Sequence, residues 1–116
     1  MPFDTAGFAA NDDLLALQRV RHRVMQGQWC KGGCDPNGAR CLLGWLLRES
    51  PLRWPILIQR YVGPELPKHL VWFYNNYHMA TISYNDGWLT RKKHIVRLLD
   101  RAIRRAEQCA STDGVR

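Results

Sequence analysis

The amino-acid sequence predicts an all-α protein: a single small domain of four to five helices, with a glycine- and cysteine-rich loop between the first two. Apolar residues recur at helical spacing near the N-terminus and, most clearly, near the C-terminus. The β-prone segment at residues 80–84 has no second strand beside it to pair with. A chain of 116 residues is near the commonest domain size and can build one apolar core.

The first helix is expected over residues 12–26, after a lead-in of residues 1–10. Asn11 is a favourable N-cap, and the two acidic residues that follow it suit the positive end of the helix dipole. Gly27 stands where a helix commonly stops. Five apolar residues would form the buried face: Leu14, Leu17, Val20, Val24 and Met25.

Arg21 projects from within this apolar face. A partly buried guanidinium requires a carboxylate or carbonyl partner. The sequence offers Glu49 and Asp86 as the first candidates.

The second helix, over residues 40–49, is apolar nearly all round and is therefore expected at the centre of the fold. Gly44 lies in its middle, where glycine costs about 1 kcal/mol relative to alanine. A glycine at such a position predicts the close approach of another backbone.

Two more helices are predicted over residues 55–61 and 65–77, separated by a break at residues 62–64. Pro55 fits the first turn of the earlier one. Large aromatic side chains in the later one are expected mostly in the core: Trp72, Phe73, Tyr74 and Tyr77.

Residues 80–84 are predicted as an extended loop, followed by an Asn-Asp-Gly turn at residues 85–87. Thr90 is expected to cap the last helix, over residues 91–108, and residues 110–116 to form a mobile polar tail. The last helix carries the clearest apolar face: Ile95, Leu98, Leu99, Ala102, Ile103 and Ala106.

The position of Cys41 suggests a nucleophile. A thiol in the first turn of a helix is activated by the helix dipole, and a nearby histidine would complete the activation. With His78 as base and Asp86 as orienting group, the order would suit a cysteine-dependent hydrolase or transferase. Cysteine is also among the most buried residue types, so a plain core role is the simpler interpretation.

A zinc site is the second hypothesis for the cysteines. Cys30, Cys34, Cys41 and His22 could supply four ligands. Their spacing is looser than the paired knuckles of structural zinc sites. We therefore expect no cofactor, with zinc as the alternative.

A basic face on the last helix is the third feature. From Leu89 to Gln108 there are seven Lys/Arg and two Asp/Glu, so this segment holds five of the seven net positive charges. Such a stripe could follow a phosphate backbone or remain a solvated face. Trp29 and Trp88 flank loops and could line a groove or interface. The cations of the stripe are Lys93, Arg97, Arg101, Arg104 and Arg105.

The composition bears on location and partners. The net charge of +7 favours acidic partners, either nucleic acid or an acidic protein surface. Neither a signal-peptide pattern nor an apolar run of about 20 residues is present. We expect a cytoplasmic protein with reduced thiols and no membrane partner.

Two stretches of the chain resemble a known family. They are Gln28-Trp29 with residues 38–44 (GARCLLG), and residues 84–86 (YND) with the helix over residues 95–106. They are similar to a domain of unknown function found in small proteins of actinobacteria and their phages. Its members share a glycine/tryptophan segment, a C-[LV]-L-G-A-L helix and an N-D turn before a closing L-x-x-A-I helix.

The resemblance implies no activity, because that of the family is not established. The chain departs from the pattern at Trp45, where the family has alanine, and in the extra thiols Cys30 and Cys34. These departures argue against zinc as a shared feature. The resemblance implies that five residues converge in space: Trp29, Cys41, Gly44, Asn85 and Asp86.

The sequence thus favours a small, basic, non-enzymatic binding domain that engages a protein or a nucleic acid through the last helix. In this interpretation Cys41 and the Asn-Asp turn are structural. The alternatives are an enzyme that depends on Cys41 and a zinc-stabilised adaptor.

Overall fold

Helices account for nearly all the regular structure of the chain. The computed structural model describes residues 5–32 and 38–115, and the side chains within residues 10–32 and 38–111. The described part contains six helices and no strand, which confirms the all-α class and corrects the expected four to five helices. They are α1 (Thr5–Met25), α2 (Leu42–Glu49), α3 (Trp54–Leu57), α4 (Lys68–Tyr74), α5 (Tyr77–Asp86) and α6 (Lys92–Val115).

The two long helices, α1 and α6, lie side by side and form the largest helix–helix contact in the described part. Each buries one face, because its apolar residues recur every three or four positions. Of the predicted α1 face, Met25 is the exception, since it remains 48% exposed. The fully buried residues of the pair are Leu17, Val20, Val24, Ile95, Leu98, Leu99, Ala102 and Ala106.

Both long helices extend beyond their predicted ends. Helix α1 begins at Thr5, so Asn11 lies inside the helix and is not its N-cap. The preceding segment contains three alanines, the best helix former, and Ala10 is buried. Helix α6 continues to Val115, so the backbone that follows residue 108 is helical where a polar tail was predicted.

The segment predicted as an extended loop is helical instead, and belongs to α5. Asn76 caps the start of α5, with its side-chain oxygen accepting a hydrogen bond from Met79 N at 3.0 Å. Thr81 is buried and its hydroxyl donates to Tyr77 O within the helix at 2.7 Å. Asn85 and Asp86 end the helix and do not form a separate turn. A cap and burial on one face have outweighed the β propensity of these residues.

The third predicted helix is helical over its whole predicted range but changes geometry along it, and the fourth is shorter than expected. Helix α3 has Pro55 in its first turn, as predicted, and runs on into a π-helical turn, Ile58–Val62, and a 3-10 turn, Gly63–Glu65. Helix α4 ends at Tyr74 because Asn75 adopts a left-handed conformation, with φ of 49°.

Two predicted contacts of α1 and α2 are wrong. Arg21 pairs with Asp100 of α6, its Nε 2.6 Å from the carboxylate, and not with Glu49 or Asp86. Glu49 lies 3.7 Å from Arg23, its neighbour across α1 and α2.

No second backbone approaches Gly44 either. A Cβ placed there would meet the side chains of Arg40 at 3.2 Å and Cys41 at 3.7 Å, just ahead of the same helix.

Within the described part of the chain, no helix is both long enough and apolar enough to cross a membrane.

Candidate functional site

The side chain of Asn85 is the centre of a buried hydrogen-bond cluster at the end of α5. Asn85 is 1% exposed. Its oxygen accepts hydrogen bonds from the Trp29 indole N–H at 2.6 Å and from Leu42 N at 2.9 Å. Its amide nitrogen donates to Cys30 O at 3.3 Å and to the Asp86 carboxylate at 2.9 Å. Both lone pairs of the oxygen and both N–H groups are therefore used.

The same cluster holds the loop that follows α1. Asp86 Oδ1 also accepts a hydrogen bond from Gly32 N at 2.9 Å. The Lys31 ammonium donates to Gly87 O at 2.6 Å. The convergence of Trp29, Asn85 and Asp86 implied by the resemblance is thus present, and Cys41 adjoins it through Leu42.

Two backbone hydrogen bonds close the base of the loop. Trp29 and Arg40 form an isolated parallel bridge, in which Cys30 N donates to Arg40 O at 3.1 Å and Arg40 N donates to Gln28 O at 3.0 Å. The Trp45 indole N–H also donates to Gln28 O, at 2.8 Å. With their polar groups bonded internally, Trp29 and Trp45 anchor the loop, so a partner-binding role for Trp29 is not favoured.

The proposed catalytic residues are not joined to one another. Cys41 is half-buried at the N-cap of α2, one position before the first turn, and its sulfur accepts a hydrogen bond from Gly44 N at 3.4 Å. His78 packs edge-on against Trp54, with ring centroids 5.4 Å apart. Within the described residues, Cys41, His78 and Asp86 share no hydrogen bond. Nothing in this geometry favours the enzyme hypothesis.

The proposed zinc ligands do not assemble from the described residues. Cys34 lies outside them, so its part in the hypothesis is untested. Among the residues that the structure describes, no three His, Cys, Asp or Glu side chains are grouped so as to hold a metal ion. His22, Cys30 and Cys41 therefore do not form the greater part of a site.

A buried carboxylate, Asp13, is fully engaged in the fold. It is 1% exposed and receives two hydrogen bonds from Arg53, at 2.7 and 2.9 Å. The Tyr61 hydroxyl donates a third, at 3.1 Å. Burial raises the pKa of Tyr61 to about 12, with the charge of Asp13 and this hydrogen bond acting in the same direction. The hydrogen bond with Asp13 raises the pKa of Arg53. These groups are structural.

The predicted basic face of α6 divides into two parts. Arg101 and Arg105 both turn towards Glu65: Arg101 Nε lies 3.3 Å from one carboxylate oxygen, and Arg105 donates to the other. Lys93, Arg97 and Arg104 are exposed and form no ion pair within the described residues.

These three residues, which we call the α6 stripe, form one narrow row. At about 100° per residue, Lys93, Arg97 and Arg104 fall within about 40° of helix surface and extend about 16 Å along the axis. The row lies opposite the buried face of the helix. Two acids lie beside the row: Asp100, which pairs with Arg21 at 2.6 Å, and Glu107, three residues after Arg104. With three cations against one acid that has no ion pair within the described residues, the stripe keeps a net positive charge.

Exposed apolar side chains precede the stripe. Trp88 is 87% exposed and Leu89 is 65% exposed, immediately ahead of Arg91 and Lys92. Both cations are exposed as well.

Three of the four aromatic residues predicted mostly for the core are also on the surface: Trp72, Phe73 and Tyr74, while Tyr77 is partly buried. Trp72 is 82% exposed and Phe73 is 71% exposed, and α4 contains no fully buried residue. Consecutive bulky residues on a short helix point in different directions, and that pattern could have predicted the exposure.

Comparison of the chain with protein-family models, with curated protein sequences and with solved structures gave no match. The resemblance to a domain of unknown function stays a prediction.

Proposed function

We propose that the protein is a small binding domain that engages nucleic acid through the α6 stripe. The observation that supports this most directly is the row of exposed cations without a described counter-ion. Guanidinium and ammonium groups in a row suit successive phosphates, and neutralising them releases condensed counterions.

Exposed Trp88 favours nucleic acid over an acidic protein surface as the partner. An indole that stands free of the fold next to Arg91 and Lys92 offers a face on which an unpaired base can stack. An acidic protein surface would pair with the cations but has no base to stack on the Trp88 indole. The proposal is therefore for single-stranded nucleic acid, held mainly by its backbone and with little sequence preference.

The salt dependence of binding tests the stripe. In fluorescence anisotropy with a labelled single-stranded oligonucleotide, Arg97→Ala/Arg104→Ala should weaken binding and lower the slope of log affinity against log salt by about 0.7 per lost phosphate contact. The matched control is Arg48→Ala/Arg60→Ala, which removes two exposed arginines from other elements. An equal loss of slope in both variants would mean that only net charge matters, and would contradict the proposal.

Trp88→Ala provides the second arm of the experiment. It removes no charge, so affinity for the single strand should fall while the salt slope stays the same. Binding of an acidic peptide with wild-type affinity by this variant, together with the absence of oligonucleotide binding, would point to a protein partner.

A further inference from the structure

A cavity of about 580 Å³ lies between α3, the π-helical turn and the junction of α4 with α5. This volume is in the range of small-molecule sites. None of its lining residues belongs to α6, so it is separate from the stripe.

Aromatic rings form part of the cavity wall. His78 packs on Trp54 at an interplanar angle of 62°, which leaves both rings held by the fold. The Tyr77 ring packs directly against Gly63. The two are so close that a Cβ built on this glycine would lie 2.3 Å from the ring. All three rings are partly buried. Fixed, partly buried rings suit the binding of a planar ligand, since little side-chain freedom is lost.

Two carboxamides, from Gln59 and Asn75, also line the cavity. Both residues are exposed, and neither side chain makes a hydrogen bond within the described residues, so both carboxamides are open to a ligand that enters the cavity from solvent. The oxygen of the neighbouring Asn76, by contrast, is occupied by Met79 N. A free carboxamide offers one acceptor and two donor hydrogens, and so matches a ligand edge that carries both kinds of group.

The backbone at one of the carboxamides is unusual. Gln59 belongs to the π-helical turn, a rare geometry that is frequent at functional sites. Asn75, with φ of 49°, has the left-handed conformation with which asparagine commonly ends a helix, so its backbone reflects the end of α4.

The described lining of the cavity contains no Lys, Arg, Asp or Glu. A phosphate or a metal ion would find none of these charged groups to pair with, which favours a neutral ligand. A nucleobase is a flat, neutral ring with a donor and an acceptor on one edge, and so suits the rings and the carboxamides together. Bidentate pairing with Asn or Gln is the pattern by which proteins read the amino and N7 groups of adenine.

From these contacts we infer that the cavity binds a nucleobase of the adenine class, stacked against the aromatic wall and hydrogen-bonded to Gln59 and Asn75. The base could belong to a free nucleoside or to a strand. The inference goes beyond the proposed function and does not depend on it, since the two use different elements.

Calorimetric titration of the full chain with adenosine, purine and uridine tests the inference. Adenosine should bind saturably and more tightly than purine, which lacks the amino group, while uridine should bind weakly or not at all. Gln59→Ala and Asn75→Gly should each weaken adenosine binding, together by about tenfold or more. Glycine at position 75 removes the carboxamide while accepting the left-handed backbone.

Gln26→Ala, which removes an exposed glutamine on α1, is the matched control and should bind adenosine like the wild type. Unchanged far-ultraviolet circular dichroism of each variant excludes a folding defect. Adenosine monophosphate should bind like adenosine, because the phosphate stays outside the cavity.

A titration with oligo(dA) separates the two sources of the base. If adenosine alone binds and the Gln59 and Asn75 variants lose it, the ligand is a free nucleoside. If oligo(dA) alone binds and loses affinity in those variants without a change of salt slope, the base belongs to a strand. The inference is overturned if neither binds, or if the variants bind as tightly as the wild type. If the proposed function is wrong, a different result is expected: the Arg97→Ala/Arg104→Ala variant would keep the wild-type slope of log affinity against log salt.

Discussion

Asp13, Arg53 and Tyr61 form a polar cluster around a buried carboxylate. The Asp13 carboxylate is removed from water, and three hydrogen bonds compensate for the lost hydration. The tyrosine stays protonated in this environment because its phenolate would lie beside the carboxylate in a place without solvent. Burial accordingly raises its pKa to about 12.

The stability of the protein should therefore fall in alkali. The tyrosine pKa is 10.0 in the unfolded chain and about 12 in the fold, so between these values the folded state holds a proton that the unfolded state has lost. The tyrosine contribution is complete below pH 10 and is lost as pH rises towards 12. Tyr61→Phe should remove this loss, which is on the order of 2 kcal/mol.

Urea unfolding of the wild type and of Tyr61→Phe at several pH values measures the effect. Near neutral pH the variant should be less stable by about 1 kcal/mol, since one hydrogen bond to Asp13 is gone. Lysines and exposed groups titrate alike in both proteins and cancel in the difference. A difference that stayed constant up to the highest pH would refute this account.

At the residue scale, the sequence showed which side chains need an ion-pair or hydrogen-bond partner. It did not identify the partner correctly. A guanidinium within the apolar arc of α1 requires a carboxylate, but Arg21 finds its acid on α6, because α1 and α6 pack along each other. That packing is a property of the whole fold. Local spacing around Arg21 contains no information about it.

At the scale of elements, α5 shows why local propensity was misleading. Its middle carries Thr, Ile and Tyr, which favour strands when nothing else decides. Asn76 supplies a cap, and Ala80 and Thr81 bury one face of the helix. The Asn-Asn pair ahead of α5 was a usable signal, since Asn75 stops one helix in the left-handed region and Asn76 starts the next.

Gly63 follows the π-helical turn and packs against Tyr77, which lines the cavity. Substitution of Gly63 tests this packing. Gly63→Ala should destabilise the protein by about 1–3 kcal/mol. The added methyl would stand 2.3 Å from the Tyr77 ring and 2.7 Å from Ile58 O, and the backbone oxygen cannot move aside. Its φ of −55° is ordinary, so no backbone strain contributes.

Gly44→Ala is the matched control for this effect. Here the methyl would meet Arg40 Cβ at 3.2 Å, a smaller conflict, and alanine improves helix propensity by up to about 1 kcal/mol. Urea unfolding should find this variant within about 1 kcal/mol of the wild type. Equal destabilisation by the two substitutions would contradict the packing described at Gly63.

At the scale of the whole molecule, positive charges lie close enough together on α6 to lower the stability of the fold. The chain has a net charge of +7, and Arg97 stands one helical turn from both Lys93 and Arg101. Like charges at that spacing each destabilise a helix by about 0.2–0.5 kcal/mol. Because this arrangement of charges on α6 lowers stability, we expect it to serve binding.

Reversing two of these charges should raise stability while abolishing binding. Arg97→Glu/Arg104→Glu lowers the net charge by four, which reduces the self-repulsion of the whole molecule. The neighbouring pairs on α6 cancel, because new attractions to Lys93 and Arg101 are offset by new repulsions from Asp100 and Glu107. In thermal unfolding, the Tm of this variant should exceed that of the wild type at low ionic strength, and the difference should shrink as salt screens the surface. A variant that is less stable at every salt concentration would show that the stripe is structural.

The overall class could be predicted from the sequence because α1 and α6 repeat apolar residues with helical spacing. The cluster around Asn85 could not be derived from local patterns, because Trp29, Leu42 and Asn85 come from three separate parts of the chain. The resemblance to a family implied that Trp29 and Asn85 converge, but it did not include Leu42. The division of the basic face likewise depended on Glu65, which reaches Arg101 and Arg105 from a distant turn.

The bridge between Trp29 and Arg40 also makes the segment it encloses a convenient place to enlarge the protein. Its hydrogen bonds fix the two ends of the segment independently of what lies between them. Lengthening a closed loop costs entropy that grows only with the logarithm of its length. A peptide epitope or small reporter domain spliced after the exposed Gly38, away from the hydrogen bonds of Lys31 and Gly32, should therefore leave the helical body intact.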